Sequence, residues 1–321
     1  MDPTVPIQET NITTKNGSCQ IFYPTINLEL LMPDLLIVII ALVGLVENGI
    51  VIWLLCFQMR RNTFSVYILN LAGSDFLFLF VQLIYHLGRL ISSFDVMAAF
   101  INRFVIFMRN LAYITGLSIL SAISTERCLS VLLPIWYHNQ RPKHISAILC
   151  AMLWALSLLL TTLNEKYCGI LFGNYDRNLW RQINIIIAVW LIFSCVLLFG
   201  SSLILLIKLL CGSQRIKLTR LYMTIGLTVL VFFLCGLPWG IHWFLLYWFL
   251  EKLNMFSYTL NRTMYVLVWI NSCANPIIYF FVGSYRQKQL KQRCTLKFIL
   301  QRALQDIPIV DKHEGSPGLE R

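Results

Sequence analysis

The sequence predicts an all-α membrane protein, a bundle of seven transmembrane helices followed by a cytoplasmic amphipathic eighth helix. Three observations carry that prediction. Only 13% of the 321 residues are charged and 58% are hydrophobic, with a mean hydropathy of +0.69; a soluble domain carries about 25% charged residues. Apolar stretches of about 20 residues, enough to cross a bilayer, recur with short polar interruptions. The basic residues gather beside these stretches, as they do at the borders of membrane helices. The net charge of +11 is therefore flanking charge and does not point to a nucleic-acid partner.

The spans are expected at 33–57, 64–91, 97–132, 145–163, 183–210, 218–250 and 258–282. Several exceed the minimum length, which allows for tilt. An odd number of crossings puts the two ends on opposite sides. One set of loops holds Arg60 and Arg61, then Arg141 and Lys143, then Lys208, Arg215, Lys217 and Arg220. The tail adds Arg286, Lys288, Lys291, Arg293, Lys297 and Arg302, so that side is cytoplasmic. The opposite N-terminal segment, residues 1–32, holds two glycosylation sequons, at Asn11 and Asn16. It lacks the basic and apolar regions of a cleavable signal peptide, so the first span is expected to act as the insertion signal.

The membrane-spanning domain runs over 33–283. Residues 284–305 mix Leu290, Leu296, Phe298, Ile299, Leu300 and Leu304 with many Lys and Arg, a composition suited to a helix lying in the membrane interface. The tail, 306–321, reads as disordered. None of the ten cysteines makes a CxxC pair, so no zinc site is indicated. No internal repeat separates two halves, which weighs against a transporter.

A charge at mid-bilayer costs about 2.5–3.5 kcal/mol on insertion scales, so each intramembrane polar group needs a reason. Asn48 lies in the first span, Asp75 in the second, and Asn271, Ser272 and Asn275 in the seventh. They are expected to form one cluster at the bundle centre. Its chemistry suits water and a sodium ion; a satisfied network without an ion is the alternative. Glu126 and Arg127 adjoin at the cytoplasmic end of the third span, where an acid and a base can pair laterally. Pro238 in the sixth span and Pro276 in the seventh each remove a backbone donor and distort their helix. Tyr279 closes the run Asn275-Pro276-Ile277-Ile278-Tyr279 near the cytoplasmic face.

Taken together, these residues resemble the rhodopsin-like receptors. The resemblance rests on Asn48, on Leu71, Ala72 and Asp75, on Glu126-Arg127-Cys128, on Trp154, on Pro238 and on residues 275–279, in six correctly ordered spans. More narrowly, the chain is similar to the Mas-related G-protein-coupled receptors over Met59 to Asp306, through MRRNTFSVYILNLAGSDFLFLF, GLSILSAISTERCLSVLLPIWYH, LTRLYMTIGLTVLVFFLCGLPWGIHWFL, NSCANPIIYFFVGSYRQ and LQRALQD.

The resemblance implies a plasma-membrane receptor that passes the binding of an extracellular ligand, a peptide or small amphiphile, to a heterotrimeric G protein. It implies no enzymatic activity. Arg127 would contact the G protein, Ile135 would insert into its surface, and the sixth span would swing about Pro238. Gly236 stands where most rhodopsin-like receptors have a toggle tryptophan. Asn102 stands where they have the cysteine of the third-helix disulfide. Of the alternative bridge used by Mas-related relatives, Cys168 matches one half and Arg181 stands at the other. Cys168 is then unpaired or joined to Cys19. The acids with which relatives hold cationic ligands read Asn164 and Ile185 here, with Glu165 one residue away. Glu47 replaces a small residue before Asn48.

Two further expectations concern the site. The run Lys217-Leu218-Thr219-Arg220 offers no acid to hold Arg127, which leaves Glu126 alone in that role and predicts basal signalling. Arg109 lies five turns outward of Arg127 on the bundle-facing side, with Tyr113 one turn below it. By the resemblance, Trp239, Trp243, Tyr265 and Trp269 line the opposite walls. Arg109 then either anchors an anionic ligand group, or it pairs with Glu165 or snorkels to the outer interface. A channel or transporter built on the central polar cluster is the alternative function. It would need charges along a continuous path, and the polar residues cluster instead.

Overall fold

The computed structural model describes residues 28–58, 63–91, 95–142, 144–167, 176–211, 220–241 and 258–284. Nine helices are given there: α1 (Leu28–Trp53), α2 (Thr63–Ile91), α3 (Asp95–Leu132), α4 (Pro134–Asn139), α5 (Ile145–Tyr167), α6 (Arg177–Cys211), α7 (Arg220–Val231), α8 (Leu237–Ile241) and α9 (Tyr258–Ser284). The first, second, third, fourth and fifth spans are α1, α2, α3, α5 and α6. The sixth is α7 with α8, and the seventh is α9. The expected interfacial helix at 284–305 and the tail at 306–321 lie outside the described residues.

Five of these helices are long and apolar enough to cross a membrane, namely Leu35–Gln58, Phe64–Gly88, Asn102–Leu132, Ile145–Lys166 and Asn178–Lys208. The sixth span shows as a shorter apolar helix, Gly226–Ile241. The 38-residue α3 is the axis of the bundle, packing on α2, α4, α5, α6 and α7. The helix α9 closes the other side against α1, α2, α7 and α8. Tyr67, Leu79, Ile119, Leu198 and Trp239 have no exposed surface and mark the core. Val46, Met152, Leu159, Val189 and Val196 are more than half exposed, as side chains facing hydrocarbon are.

Two distortions follow from proline chemistry. Pro238 has no N–H to give to the carbonyl one turn earlier. The helix widens just before it into a π segment, Phe232–Gly236, where Leu237 N–H reaches back to the Phe232 carbonyl. Pro276 sits inside α9 and leaves the Ser272 carbonyl without its usual donor. Asn48 of α1 fills that gap: its Nδ2 donates to Ser272 O at 3.1 Å and to Gly44 O at 2.9 Å. Close approach of the two helices requires Gly44, because a Cβ there would collide with Cys273 Sγ and Leu79 Cδ1. A second π segment, Leu54–Gln58, ends the first span.

The seam between α3 and α6 is joined by hydroxyls. Ser201 Oγ donates to Ser124 Oγ at 2.7 Å, Ser124 and Ser202 hydroxyls lie 2.9 Å apart, and Trp190 Nε1 donates to Ser118 Oγ at 3.0 Å. Ser118, Ser201 and Ser202 also have carbonyls of their own helix within reach, those of Ile114, Leu197 and Leu198.

Candidate functional site

Three groups of candidate residues stack along the bundle. Toward one end of the bundle, Arg109 is buried with its guanidinium over the rings of Trp239, 5.8 Å away, and Tyr265, 5.4 Å away. Its Nη1 donates to the Tyr265 hydroxyl at 3.3 Å. Tyr113 lies one turn deeper, edge-on to Trp239 at 4.4 Å between ring centres, and its hydroxyl donates to Gly236 O at 3.0 Å. Gly240 has to be glycine here, since a Cβ would collide with that hydroxyl. The place of the missing toggle tryptophan is taken up by neighbours: a Cβ on Gly236 would meet the Phe232 ring at 2.7 Å and Asn271 at 3.3 Å.

The structure thus brings Arg109, Tyr113, Trp239, Tyr265 and Trp269 together, but as a packed aromatic floor. Trp239 and Trp269 are buried and do not form open walls. Sequence reasoning missed His86, which packs edge-on against Trp269 at 5.2 Å. Glu165 is buried beside this floor, within electrostatic reach of Arg109. Its Oε1 accepts from Asn110 Nδ2 at 3.2 Å and from Asn164 Nδ2 at 3.5 Å. Its Oε2 is buried with no protein donor. Ile185 is half exposed, whereas the adjacent Asn184 is buried and donates to Trp180 O. Trp243, Asn11, Asn16, Cys19 and Cys168 lie outside the described residues.

At mid-depth, Asp75, Asn271, Ser272 and Asn275 line one cavity of about 30 Å³, together with Tyr113 and Gly116. Asn275 Nδ2 donates to Asp75 Oδ2 at 2.7 Å. The volume admits one water or ion. The carboxylate, the Ser272 hydroxyl and the Asn271 amide oxygen suit a hard monovalent cation, and Gly116 adds no side-chain oxygen. Asn48 belongs next to this group without lining it, since it is committed to the backbone of α1 and α9. Glu47 has its Oε2 buried without a hydrogen-bond donor.

At the end expected to face the cytoplasm, Arg127 is fully buried with its guanidinium over the Phe64 ring. The expectation that Glu126 alone holds Arg127 left out the other partners of that carboxylate. Arg141, from the turn between α4 and α5, forms an ion pair with Glu126 Oε1, and Tyr67 of α2 donates to Oε2 at 3.1 Å. Ile135 is 78% exposed on α4. Tyr279 is buried near the base of α9, and Trp154 Nε1 ties α5 to Asn70 of α2 at 3.1 Å.

The bundle thus combines a buried arginine at one end of its long third span with a proline-distorted sixth span. The chain matches the family model "7 transmembrane receptor (rhodopsin family)" over residues 47–279, and it belongs to that family of multi-pass plasma-membrane receptors. It is therefore a G-protein-coupled receptor, with an extracellular ligand and a G protein as its partners, and not an enzyme. Among individual proteins, it is 53% identical over 315 residues to the Mas-related G-protein coupled receptor member X2 of Homo sapiens, covering 98% of this chain and 96% of that one. The same identity and coverage hold for member X2 of Rhinopithecus bieti. Member X2 of Macaca mulatta is 52% identical over 98% of this chain and 95% of its own.

Proposed function

We propose that this receptor is a Mas-related type whose N-terminus faces outward and whose ligand is a peptide or small amphiphile bearing an anionic group. The observation that carries the reading is the buried Arg109, set in aromatic rings at the depth where a ligand entering from outside would come to rest. A guanidinium is weakly hydrated and offers a fork of donors to a carboxylate. The two positions at which relatives hold cationic ligands carry no acid here, being Asn164 and Ile185. Glu165 keeps one buried oxygen without a donor, so it tolerates a donor on the ligand as a second contact. Asp75, Asn271 and Ser272 would hold a sodium ion, which supplies positive charge to the bundle centre. Arg127 and Ile135 form the coupling end toward the heterotrimeric G protein.

The test is an agonist panel divided by net charge, run on wild type and Arg109→Ala with calcium and cyclic-AMP readouts. Loss of one buried charge-assisted contact should raise the half-maximal concentration of carboxylate-bearing agonists by about tenfold or more. Strong responses to cationic agonists, unaffected by Arg109→Ala, would refute the anionic assignment.

A further inference from the structure

We propose that Arg141 is the positioning residue that holds the second cytoplasmic loop in register for the G protein, and that Glu126 serves as its buried counter-charge. The proposal deepens the coupling reading above and rests on it only for the identity of the partner.

The need for a clamp arises in α4 itself. This helix has six residues, and its N-cap, Leu133, offers no side-chain hydrogen bond. Isolated helices shorter than about 12–15 residues are marginal in water, so α4 must be held at its ends. At its start the Leu133 N–H continues from Leu129 of α3. Its end has only the Gln140 N–H bonded back to Trp136 O, and the chain then turns toward α5.

Arg141 supplies the missing anchor. Its Nε pairs with Glu126 Oε1 on α3, its Nη2 donates to Ser146 Oγ on α5 at 2.6 Å, and its guanidinium lies 5.2 Å from the ring centre of Tyr137 on α4. The side chains of the ion pair are only 6% and 9% exposed. Tyr67 of α2 completes the carboxylate from the opposite side. Burial and the nearby Glu126 carboxylate push the Tyr137 phenol up, so that it stays protonated and presents no competing negative charge. Lysine has no such fork and could not serve α3 and α5 from fixed, diverging directions.

What the clamp holds in place is an apolar face. Leu133, Ile135 and Trp136 are 50%, 78% and 38% exposed, just beyond the cytoplasmic end of the third span. Polar groups fix the buried side of the loop, and the outward side is left to a partner with an apolar recess.

Hydrogen exchange on the full-length receptor in lipid nanodiscs tests the clamp without any ligand. Arg141→Gln and Glu126→Gln should each speed amide exchange over 134–140 by about tenfold, and the double variant by no more than either alone. Arg141→Lys should fall between wild type and Arg141→Gln, and it remains informative if the glutamine variant fails to fold. In parallel, nucleotide exchange on purified heterotrimer should need about tenfold more G protein for half-saturation in Arg141→Gln, with the maximal rate retained. Unchanged exchange over 134–140 in Arg141→Gln, or single effects that multiply in the double variant, would overturn the proposal. Loosening of α4 as expected, with no heterotrimer responding to wild type, would leave the clamp standing and remove the coupling reading.

Discussion

Arg127 is packed against an aromatic face. Its guanidinium is fully buried against Phe64, so in this arrangement it is not presented to the cytoplasm. A cation over an aromatic ring contributes about 2 kcal/mol or more when desolvated. Phe64→Ala should therefore raise basal nucleotide exchange by about tenfold or more, while Arg127→Ala should abolish exchange at matched surface expression. A Phe64→Ala receptor with wild-type basal activity would show that the ring is only packing. The shared Glu126 also alters the expected effect of Glu126→Gln: the variant disturbs Arg141 and Tyr67 together, so basal activity alone does not report on Arg127. Neither Phe64 nor Arg141 was legible as a partner in the sequence. Both reach the Glu126-Arg127 pair from other elements, and nothing in residue spacing encodes a contact across a loop.

At the scale of helices, the two prolines show how an element can be weakened without being broken. The sixth span widens its ring before Pro238, whereas the seventh passes its orphaned Ser272 carbonyl to Asn48 of the first. The cavity beside Asp75 lies directly next to that repaired turn and is lined by Ser272 and Asn275. A sodium ion there would stiffen α2 against α9. Replacing sodium with choline at constant ionic strength should lower the melting temperature of the purified receptor by about 2–4 °C, for a binding contribution of about 1 kcal/mol. The effect should vanish in Asp75→Asn. Equal melting temperatures in the two salts for wild type would assign the cavity to water. The spans themselves were readable because apolar length dominates hydropathy, and α3 and α5 begin within two residues of expectation. The helix α6 begins six residues early, since its first turns are polar and carry no apolar signal. The short α4 and the π segments were hidden, because they depend on tertiary anchors and on backbone repair.

Across the whole molecule, polarity is sorted by depth and by side. Among the described residues, Arg109 and Arg127 lie against rings, Asp75 and Glu165 against amides and Glu126 against an opposite charge, while Glu47 keeps a buried oxygen without a donor, and the faces of α1, α5 and α6 toward lipid are apolar. The orientation inferred from loop charges makes a direct prediction: an epitope placed before Asn11 should be labelled on intact cells, and Asn11→Gln with Asn16→Gln should remove the glycosidase-sensitive mass. Labelling only after permeabilisation would reverse the topology and, with it, the assignment of Arg109 to the ligand side. The aromatic cluster was foreseeable from helical register, but its closure into a floor was not, because packing depends on which rings meet. The hydroxyl seam between α3 and α6 has one more consequence. When these helices slide, Ser118, Ser201 and Ser202 keep the carbonyls of their own helix that they already reach, and Trp190 Nε1 is the donor that gives up its acceptor. The seam is therefore a latch of low cost, fastened by one indole and opened without stranding a serine in hydrocarbon.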